Sequence, residues 1–110
     1  MEYEFNYRLS KKAEEDLDNI ISYIAVELSN KKAATDFIKK LKNSIEQVCL
    51  FPESGAPVSN DFIFDIDIRK KIIDNYIMYY LPDLSEKIIY IVRIVYSKKN
   101  MDEILQQLDI

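Results

Sequence analysis

The only glycine and two of the three prolines of this 110-residue chain lie close together, in the segment 51–60. Glycine and proline most often interrupt helices and strands, so this segment predicts the main loop of the fold. Apolar residues before it recur at helical spacing, whereas those after it follow the alternation and β-branched composition of strands. The chain is therefore expected to form its helices first and most of its strands second.

Two amphipathic helices are predicted before this loop. Ser10 is a suitable N-cap for a first helix over residues 11–28, in which apolar residues recur every three or four positions. Ser29 and Asn30 interrupt the pattern, and Asn30 can cap a second helix that ends before Pro52. The short interruption predicts an antiparallel helical hairpin. The apolar stripe of the second helix consists of Ala34, Phe37, Ile38, Leu41, Ile45 and Val48.

Strand patterns lie on both sides of the hairpin. Aromatic and polar residues alternate between Tyr3 and Leu9, which predicts a strand before the first helix. After the loop, three β-prone runs follow, at residues 62–73, 76–81 and 87–96. The last two runs are expected to form a β-hairpin because turn-forming residues separate them.

The turn of this β-hairpin is predicted at Pro82, Asp83 and Ser85. Residues 100–110 carry apolar side chains at helical spacing and predict a short C-terminal helix. The expected fold class is α+β, in the order β-α-α-β-β-β(-α), with the N-terminal helical hairpin packed on a small antiparallel sheet. The length fits one domain over residues 1–110.

Composition excludes several kinds of site. The single cysteine, Cys49, cannot form an internal disulfide or a zinc-binding CxxC motif, and it follows the apolar stripe as a core residue would. Without histidine, the chain lacks the usual base of a Ser/His or Cys/His nucleophilic site. The N-terminus does not resemble a signal peptide, and no apolar run is long enough to span a membrane. We expect a cytoplasmic protein without a metal or cofactor.

Charge is distributed unevenly along the chain. The net charge is −4, which argues against a generic nucleic-acid-binding protein. Residues 1–68 carry eight basic and thirteen acidic side chains, whereas residues 69–99 carry seven basic and three acidic ones, a net +4. The predicted sheet is therefore the basic part of an acidic protein, and a local cationic site is compatible with the overall charge.

Arg93 is the most conspicuous single residue, because it interrupts an apolar and aromatic strand. Strict alternation would place it on the same face as Ile89, Ile91 and Val95. An unpaired guanidinium there would be costly to bury. Two interpretations follow: a structural ion pair with an acid such as Asp74, or contact with a phosphate or a protein partner through the planar guanidinium.

Further basic and aromatic residues surround the predicted strands. The basic residues at the strand ends are Arg69, Lys70, Lys71, Lys98 and Lys99. They form either a solvated surface or, together with Arg93, a cationic site. The tyrosines of the strands are Tyr76, Tyr79, Tyr80, Tyr90 and Tyr96. These side chains would either stack on nucleic-acid bases or pack within the sheet.

Taken in order, these residues resemble the RelE/ParE superfamily of toxins from bacterial type II toxin–antitoxin systems. The resemblance covers nearly the whole chain and agrees with the β-α-α-β-β-β order inferred above. It rests on Tyr7-Arg8-Leu9-Ser10, Ala13, Asp16-Leu17, Ile20, Tyr23, Ala34, Phe37, Leu41, Ile45, Phe51-Pro52, Gly55, Arg69, Tyr76, Tyr80, Ile91-Val92-Arg93-Ile94-Val95-Tyr96 and Lys98-Lys99-Asn100.

The resemblance implies a toxin that is neutralised by a cognate antitoxin, and the superfamily has two branches. RelE-like members cleave mRNA on the ribosome with a cluster of basic residues and often a tyrosine near the C-terminus. ParE-like members inhibit DNA gyrase by binding it. Candidate catalytic residues for the first branch are Arg69, Arg93, Tyr96, Lys98 and Lys99.

Two departures from the RelE pattern favour the ParE-like branch. Ile77 stands where RelE-like members commonly carry an arginine, and no tyrosine or histidine follows Asn100 to act as a base. Tyr96 is the nearby candidate for proton transfer, but an unperturbed tyrosine has a pKa near 10 and is a poor base. The expected function is that of a ParE-like toxin whose target is DNA gyrase. The alternatives are a ribosome-dependent mRNA endoribonuclease and a non-toxic relative that only binds partners.

Overall fold

A helical hairpin packs on a five-stranded sheet in this computed structural model, which describes residues 4–58 and 66–98. The elements are β1 (Asn6–Leu9), α1 (Lys11–Ser22) continued by a π-helix (Tyr23–Glu27), α2 (Lys31–Leu50), β2 (Ala56–Pro57), β3 (Arg69–Ile73), β4 (Tyr76–Asp83) and β5 (Ile88–Tyr96). The strand order is β1-β5-β4-β3-β2. Strand β1 runs parallel to β5, and the other pairs are antiparallel. The predicted α+β fold class is confirmed.

Both predicted helix caps are present. The Ser10 hydroxyl accepts a hydrogen bond from the Ala13 amide at 3.0 Å, and the Asn30 side chain accepts one from the Ala33 amide at 3.0 Å. Each bond satisfies an amide that has no partner within its own helix. Ser29, between the helices, adopts a positive φ of 49°. The helical hairpin therefore has the predicted boundary between its two arms.

The end of the first helix differs from the regular helix expected over residues 11–28. From Tyr23 to Glu27 the chain forms a π-helix, and the Leu28 amide donates to the Tyr23 carbonyl at 3.0 Å. A π-turn contains one more residue than an α-turn, so it changes the direction of the side chains that follow. Here it buries Ile24 and leaves Val26 and Leu28 exposed at the tip of the hairpin.

The main core lies between the helical hairpin and one face of the sheet. The buried members of the predicted α2 stripe are Ala34, Phe37, Leu41, Ile45 and Val48, joined by Cys49 as expected. Ile38 is exposed, so its assignment to the stripe is wrong. Successive residues of an α-helix point about 100° apart. Because Phe37 points toward the sheet, the next residue, Ile38, points to the side of the helix and stays exposed. A second cluster, including Tyr79 and Val92, packs on the opposite face of the sheet.

The strand after the loop begins later than its sequence pattern predicts. Residues 66–68 are not in a strand, although Ile68 is fully buried and its carbonyl accepts a hydrogen bond from the Val58 amide at 2.9 Å. Regular pairing with β4 starts at Arg69. Residues 62–65 of this prediction lie outside the described part of the chain, as do Tyr3 and the C-terminal helix predicted at residues 100–110.

The turn between β4 and β5 comes later than predicted. Pro82 and Asp83 still belong to β4 and pair with β5, beyond the region where β4 pairs with β3. Because Pro82 lies outside the ladder between β3 and β4, its lack of an amide hydrogen is easily tolerated there. The Asp83 carboxylate accepts hydrogen bonds from the Glu86 amide and from the amide and hydroxyl of Ser85. These bonds stabilise the ionised carboxyl group and lower the pKa of Asp83 below its usual value.

None of the helices in residues 4–58 and 66–98 is long and apolar enough to cross a membrane.

Replacing Ser10 by alanine should lower the free energy of unfolding by about 1 kcal/mol, because it removes a helix cap. The same hydroxyl also donates to the Val92 carbonyl at 3.0 Å. The decrease in the free energy of unfolding should therefore be at least as large as that caused by loss of the helix cap alone. Urea denaturation of Ser10→Ala measures the effect. Ser22→Ala is the control, because Ser22 makes no capping hydrogen bond with its side chain. Equal stability of the two variants would contradict the prediction.

Candidate functional site

Residues at the start of helix α1 form hydrogen bonds with β5 beyond the point where β1 ends. Strand β1 pairs with β5 only as far as Ile91. There the Ser10 amide donates to the Ile91 carbonyl at 2.9 Å, and the Ser10 hydroxyl bonds the next carbonyl, that of Val92. Further along, the Asp16 carboxylate accepts a hydrogen bond from the Ile94 amide at 3.0 Å. The backbone hydrogen-bonding groups at this edge of β5 are thus paired first with strand β1 and then with Ser10 and the Asp16 side chain.

Arg93 forms a bidentate ion pair with the same carboxylate. Its Nε lies 2.7 Å from Asp16 Oδ2 and its Nη2 lies 3.1 Å from Asp16 Oδ1. The two side chains are only 6% and 13% exposed. The structure therefore bears out the interpretation of Arg93 as a structural ion pair, but the suggested partner, Asp74, is wrong. Asp74 instead pairs with Lys40 of α2 at 2.9 Å, because the β3–β4 turn brings it to the rim of the helical hairpin.

A β-bulge explains why alternation misplaced the surroundings of Arg93. Tyr79 pairs with Arg93 and Tyr80 pairs with Ile91, so β5 contains one extra residue. Beyond the bulge, residues that strict alternation would place on one face of β5 lie on the other face. Ile89 and Ile91 pack toward the helices, whereas Val95 packs on the opposite face, so the predicted common face is wrong for Val95.

Arg69 holds the loop that follows α2. Its Nε contacts Asp67 at 3.1 Å, and its Nη1 donates to the carbonyls of Glu53 at 3.0 Å and Gly55 at 2.9 Å. Most of the side chain is buried by these contacts. Arg69 therefore acts as a structural residue that ties the loop after α2 to the start of β3.

The Tyr80 hydroxyl fixes the same loop from inside the protein. It accepts a hydrogen bond from the Gly55 amide at 2.8 Å and donates one to the Pro52 carbonyl at 2.9 Å. Tyr80 is fully buried, which raises the pKa of its hydroxyl. Tyr79 is buried as well, so both tyrosines pack within the protein and neither is available to stack on a base.

Of the remaining described basic residues, Lys70 lies two strands from Arg93 in register, because both residues pair with Tyr79 of β4. Lys70 and Lys71 are neighbours in β3 and therefore point to opposite faces. Lys87 precedes β5 and the exposed Lys98 follows it, so the nine-residue strand, about 30 Å long, separates them. Lys99 lies outside the described residues. The basic segment identified in the sequence is thus dispersed over the parts of the fold that the structure describes.

A concave surface lies at the tip of the helical hairpin. It is an open groove of about 650 Å³, which we call the tyrosine groove. Its lining residues are Tyr23, Ile24, Leu28, Ala33, Phe37, Asp74, Asn75, Tyr76 and Tyr96. They come from the π-helix, from α2, from the β3–β4 turn and from the end of β5. Tyr23, Tyr76 and Tyr96 also line a smaller adjoining depression of 190 Å³.

Three aromatic rings that contact one another in a row line the tyrosine groove. Phe37 and Tyr76 meet edge to face with centroids 5.1 Å apart, and Tyr76 and Tyr96 meet likewise at 5.9 Å. Burial, followed by the neighbouring Tyr23 and Tyr96, raises the pKa of the Tyr76 hydroxyl. Tyr23 and Leu28 remain exposed at the rim. A concave surface with exposed aromatic and apolar side chains is typical of a surface that binds another protein.

Sequence reasoning identified Tyr76 and Tyr96 in this region but missed the other side of the groove. Tyr23 lies between the apolar positions of the first helix, and nothing in the helical pattern shows that its exposed ring meets the end of β5. Sequence reasoning considered Asp74 only as a partner of Arg93, and it did not single out Asn75. Among the described residues, no group of three or more histidine, cysteine or acidic side chains is placed to hold a metal ion.

Comparison with known proteins identifies the family. Residues 7–101 match the model of the ParE toxin of type II toxin–antitoxin systems, parDE. The chain belongs to this ParE toxin family. No functionally curated protein matches the sequence.

Solved toxin–antitoxin structures share the fold of this ParE family member. The chromosomal ParDE system of P. aeruginosa aligns with a TM-score of 0.66 and 17% identity, covering 87% of this chain and 99% of that one. The RelBE2 complex of Mycobacterium tuberculosis aligns with a TM-score of 0.59 and 14% identity, covering 84% and 98%. The archaeal RelE–RelB complex of Pyrococcus horikoshii OT3 gives 0.53 and 14%, covering 87% and 98%. At these identities the similarity establishes the fold.

Breaking the Asp16–Arg93 pair should strongly destabilise the protein. Asp16→Asn leaves a buried guanidinium without its counter-charge, and we expect a loss of about 3 kcal/mol in the free energy of unfolding. Asp36→Asn, which breaks the exposed pair with Lys32 at 3.0 Å, should cost less than about 0.5 kcal/mol. The double variant Asp16→Leu, Arg93→Met should recover part of the loss, because it removes both charges together. Equal effects of Asp16→Asn and Asp36→Asn in urea denaturation would contradict this account.

A methyl group at Gly55 should also destabilise the fold. A Cβ there would lie 2.5 Å from the Tyr80 hydroxyl oxygen and 2.7 Å from the Lys70 carbonyl oxygen. Gly55→Ala should therefore lower the thermal midpoint, with a cost of about 1–3 kcal/mol from overpacking. Tyr80→Phe should not rescue it, because the Lys70 carbonyl still blocks the site. Restoration of wild-type stability in the double variant would show that the hydroxyl alone sets the limit.

Proposed function

We propose that this ParE family member is a toxin that arrests growth by binding a protein target, DNA gyrase, and that a cognate antitoxin neutralises it. The observation that carries the proposal is the engagement of the two conspicuous arginines within the protein itself. Arg93 is bound to Asp16, and Arg69 is bound to Asp67 and to two loop carbonyls. Both guanidinium groups are therefore already paired inside the protein, whereas a cationic site for RNA cleavage would need them to contact a phosphate.

The tyrosines also argue against RNA cleavage. Cleavage of a phosphodiester without a metal needs a positioned base and cations on the phosphate. Tyr96 packs against Tyr76, and burial raises the pKa of Tyr76, so an even smaller fraction of that hydroxyl is ionised at neutral pH and able to accept a proton than in a solvated tyrosine. The apolar rim of the tyrosine groove, in contrast, supports recognition of protein.

Growth in a bacterial host tests the class of protein. Induced expression of the chain alone should stop growth, and co-expression of the protein encoded by the adjacent reading frame should restore it. Asp16→Asn should lose toxicity together with stability, so Lys32→Ala serves as the control that alters only a surface ion pair. Normal growth after induction of soluble, folded wild-type protein would contradict toxicity and favour a relative that only binds partners.

Gyrase supercoiling tests the target. Purified chain at micromolar concentration should inhibit supercoiling of relaxed plasmid, and prior mixing with the adjacent-gene product should remove the inhibition. Primer extension on translated mRNA is run in parallel. Unchanged supercoiling together with new mRNA cleavage sites would overturn the gyrase target in favour of an endoribonuclease. In that case Lys98→Ala and Tyr96→Phe should reduce cleavage, since both side chains are exposed at the end of β5.

A further inference from the structure

We propose that the chain contacts its protein target through an apolar patch at the end of α2, and that this patch receives an apolar segment of the target that carries lysine or arginine. The inference rests on the proposed function, because it names the surface and the chemistry of that contact. The patch borders an open depression of about 380 Å³, and we call it the Phe51 patch. It consists of Phe5, Leu50, Phe51, Pro52 and Leu84.

Large apolar side chains of the Phe51 patch remain in contact with water. Phe51 is 66% exposed and Leu84 is 60% exposed, and Leu50 beside Phe51 is partly exposed as well. These side chains come from two separate parts of the chain, the end of α2 and the turn between β4 and β5. Single apolar residues on a surface need no explanation, whereas an exposed aromatic ring beside aliphatic side chains is typical of the centre of a protein–protein contact.

Hydrogen bonds hold both parts of the patch in one conformation. The Tyr80 hydroxyl and the Arg69 guanidinium fix the loop that follows Phe51. The Asp83 carboxylate fixes the turn that carries Leu84. A surface that is already ordered loses little conformational entropy when a partner binds, so more of the interaction energy becomes affinity.

The charges that line the Phe51 patch and its surroundings are negative. Glu53 lines the same depression, and Glu4 and Glu46 line an adjoining depression of about 360 Å³. Within residues 4–58 and 66–98, none of these three carboxylates forms an ion pair, and no lysine or arginine lines either depression. Burial, followed by the charges of Glu4 and Glu46, raises the pKa of the neighbouring Cys49 thiol. The electrostatic potential at this end of the molecule therefore attracts a cationic partner.

These charges decide between the possible occupants of the patch. Lys87 belongs to the turn that carries Leu84, but it lines neither depression. A second copy of the chain would bring its own carboxylates against those of the first, and a nucleic acid or an anionic membrane would meet the same negative charges. A protein segment with apolar side chains between lysines or arginines would instead cover Phe51 and Leu84 while its cations approach Glu53.

The Phe51 patch and the tyrosine groove lie at opposite ends of α2. Ala33 lines the groove and Leu50 lines the patch, and about 25 Å of helix separates these two residues. A substitution in the patch therefore leaves the groove intact, and binding at the two surfaces can be measured with separate variants.

Inhibition of gyrase supercoiling by purified variants tests the patch. Phe51→Ala should raise the half-maximal inhibitory concentration about 30-fold, as expected for an aromatic hot spot, and Leu84→Ala should raise it as well. Ile72→Ala is the matched control, because Ile72 is 70% exposed and lies on β3, outside the patch. It should inhibit within about twofold of wild type. Unchanged midpoints in urea denaturation show that all three variants are folded.

The negative charge is tested with a second matched pair. Glu53→Gln should weaken inhibition about threefold at low salt, and the difference from wild type should shrink as the salt concentration rises. Glu15→Gln removes the same charge from an exposed position of α1 that lines neither depression, and it should inhibit like wild type. Glu53→Lys should weaken inhibition more than Glu53→Gln, because it repels the cation of the partner.

The outcomes separate this inference from the proposed function. Inhibition at the wild-type level by Phe51→Ala and Leu84→Ala overturns the patch and leaves the gyrase target standing, and stronger inhibition by Glu53→Gln overturns the basic segment. The affinity of Phe51→Ala for the adjacent-gene product should equal that of wild type. A 30-fold loss there, or a wild-type dimer that Phe51→Ala dissociates, assigns the patch to another occupant and overturns the inference.

A wild-type chain that does not inhibit gyrase contradicts the proposed target, and growth after induction then tests the patch with the same variants. Growth arrest that is lost in Phe51→Ala and Leu84→Ala but kept in Ile72→Ala supports a contact with a different protein target. Arrest by all three variants overturns the patch. Absence of arrest by soluble, folded wild-type protein contradicts the proposed function and the inference together.

Discussion

The carboxylate of Asp16 is the contact on which the arrangement of helix and sheet depends most. It accepts both donors of the Arg93 fork and the Ile94 amide, so one side chain of α1 satisfies a buried charge and a strand edge together. β1 is too short to cover the whole of β5, and Ser10 and Asp16 continue where it stops. A charge buried without such partners would cost several kcal/mol, so the pair fixes where α1 lies on the sheet.

The same constraint changes how the basic residues of the chain are understood. A net +4 over residues 69–99 suggested a cationic site. In the folded protein Arg93 stabilises the α1–β5 contact and Arg69 stabilises the loop after α2. In the described part of the chain, the tyrosine groove offers an exposed, concave surface lined mainly by apolar and aromatic side chains. The net charge of −4 gives a polyanion little long-range attraction to the protein.

Much of the fold could be predicted because it depends on local patterns. Ser10 and Asn30 cap helices because their side chains reach amides three residues ahead, and this needs no tertiary contact. Pro82 illustrates the opposite case: proline usually marks a turn, but here it lies in β4 beyond the ladder with β3, where its missing amide is tolerated. The exposure of Ile38 is another such case, since only the position of the sheet decides which side of α2 is inward.

The amino-acid sequence determined the α+β class, the helical hairpin and most of the order of the elements, because periodicity, capping and turn residues act over a few neighbouring positions. The ParE-type assignment rested instead on a resemblance that extends along nearly the whole chain. Tertiary structure alone decided the partner of Arg93, the bulge that reverses the faces of β5, and the union of Tyr23, Asp74 and Tyr96 in one groove. These features join residues that are not neighbours along the chain. Such contacts depend on strand register and helix placement, which only the packing of the whole core determines.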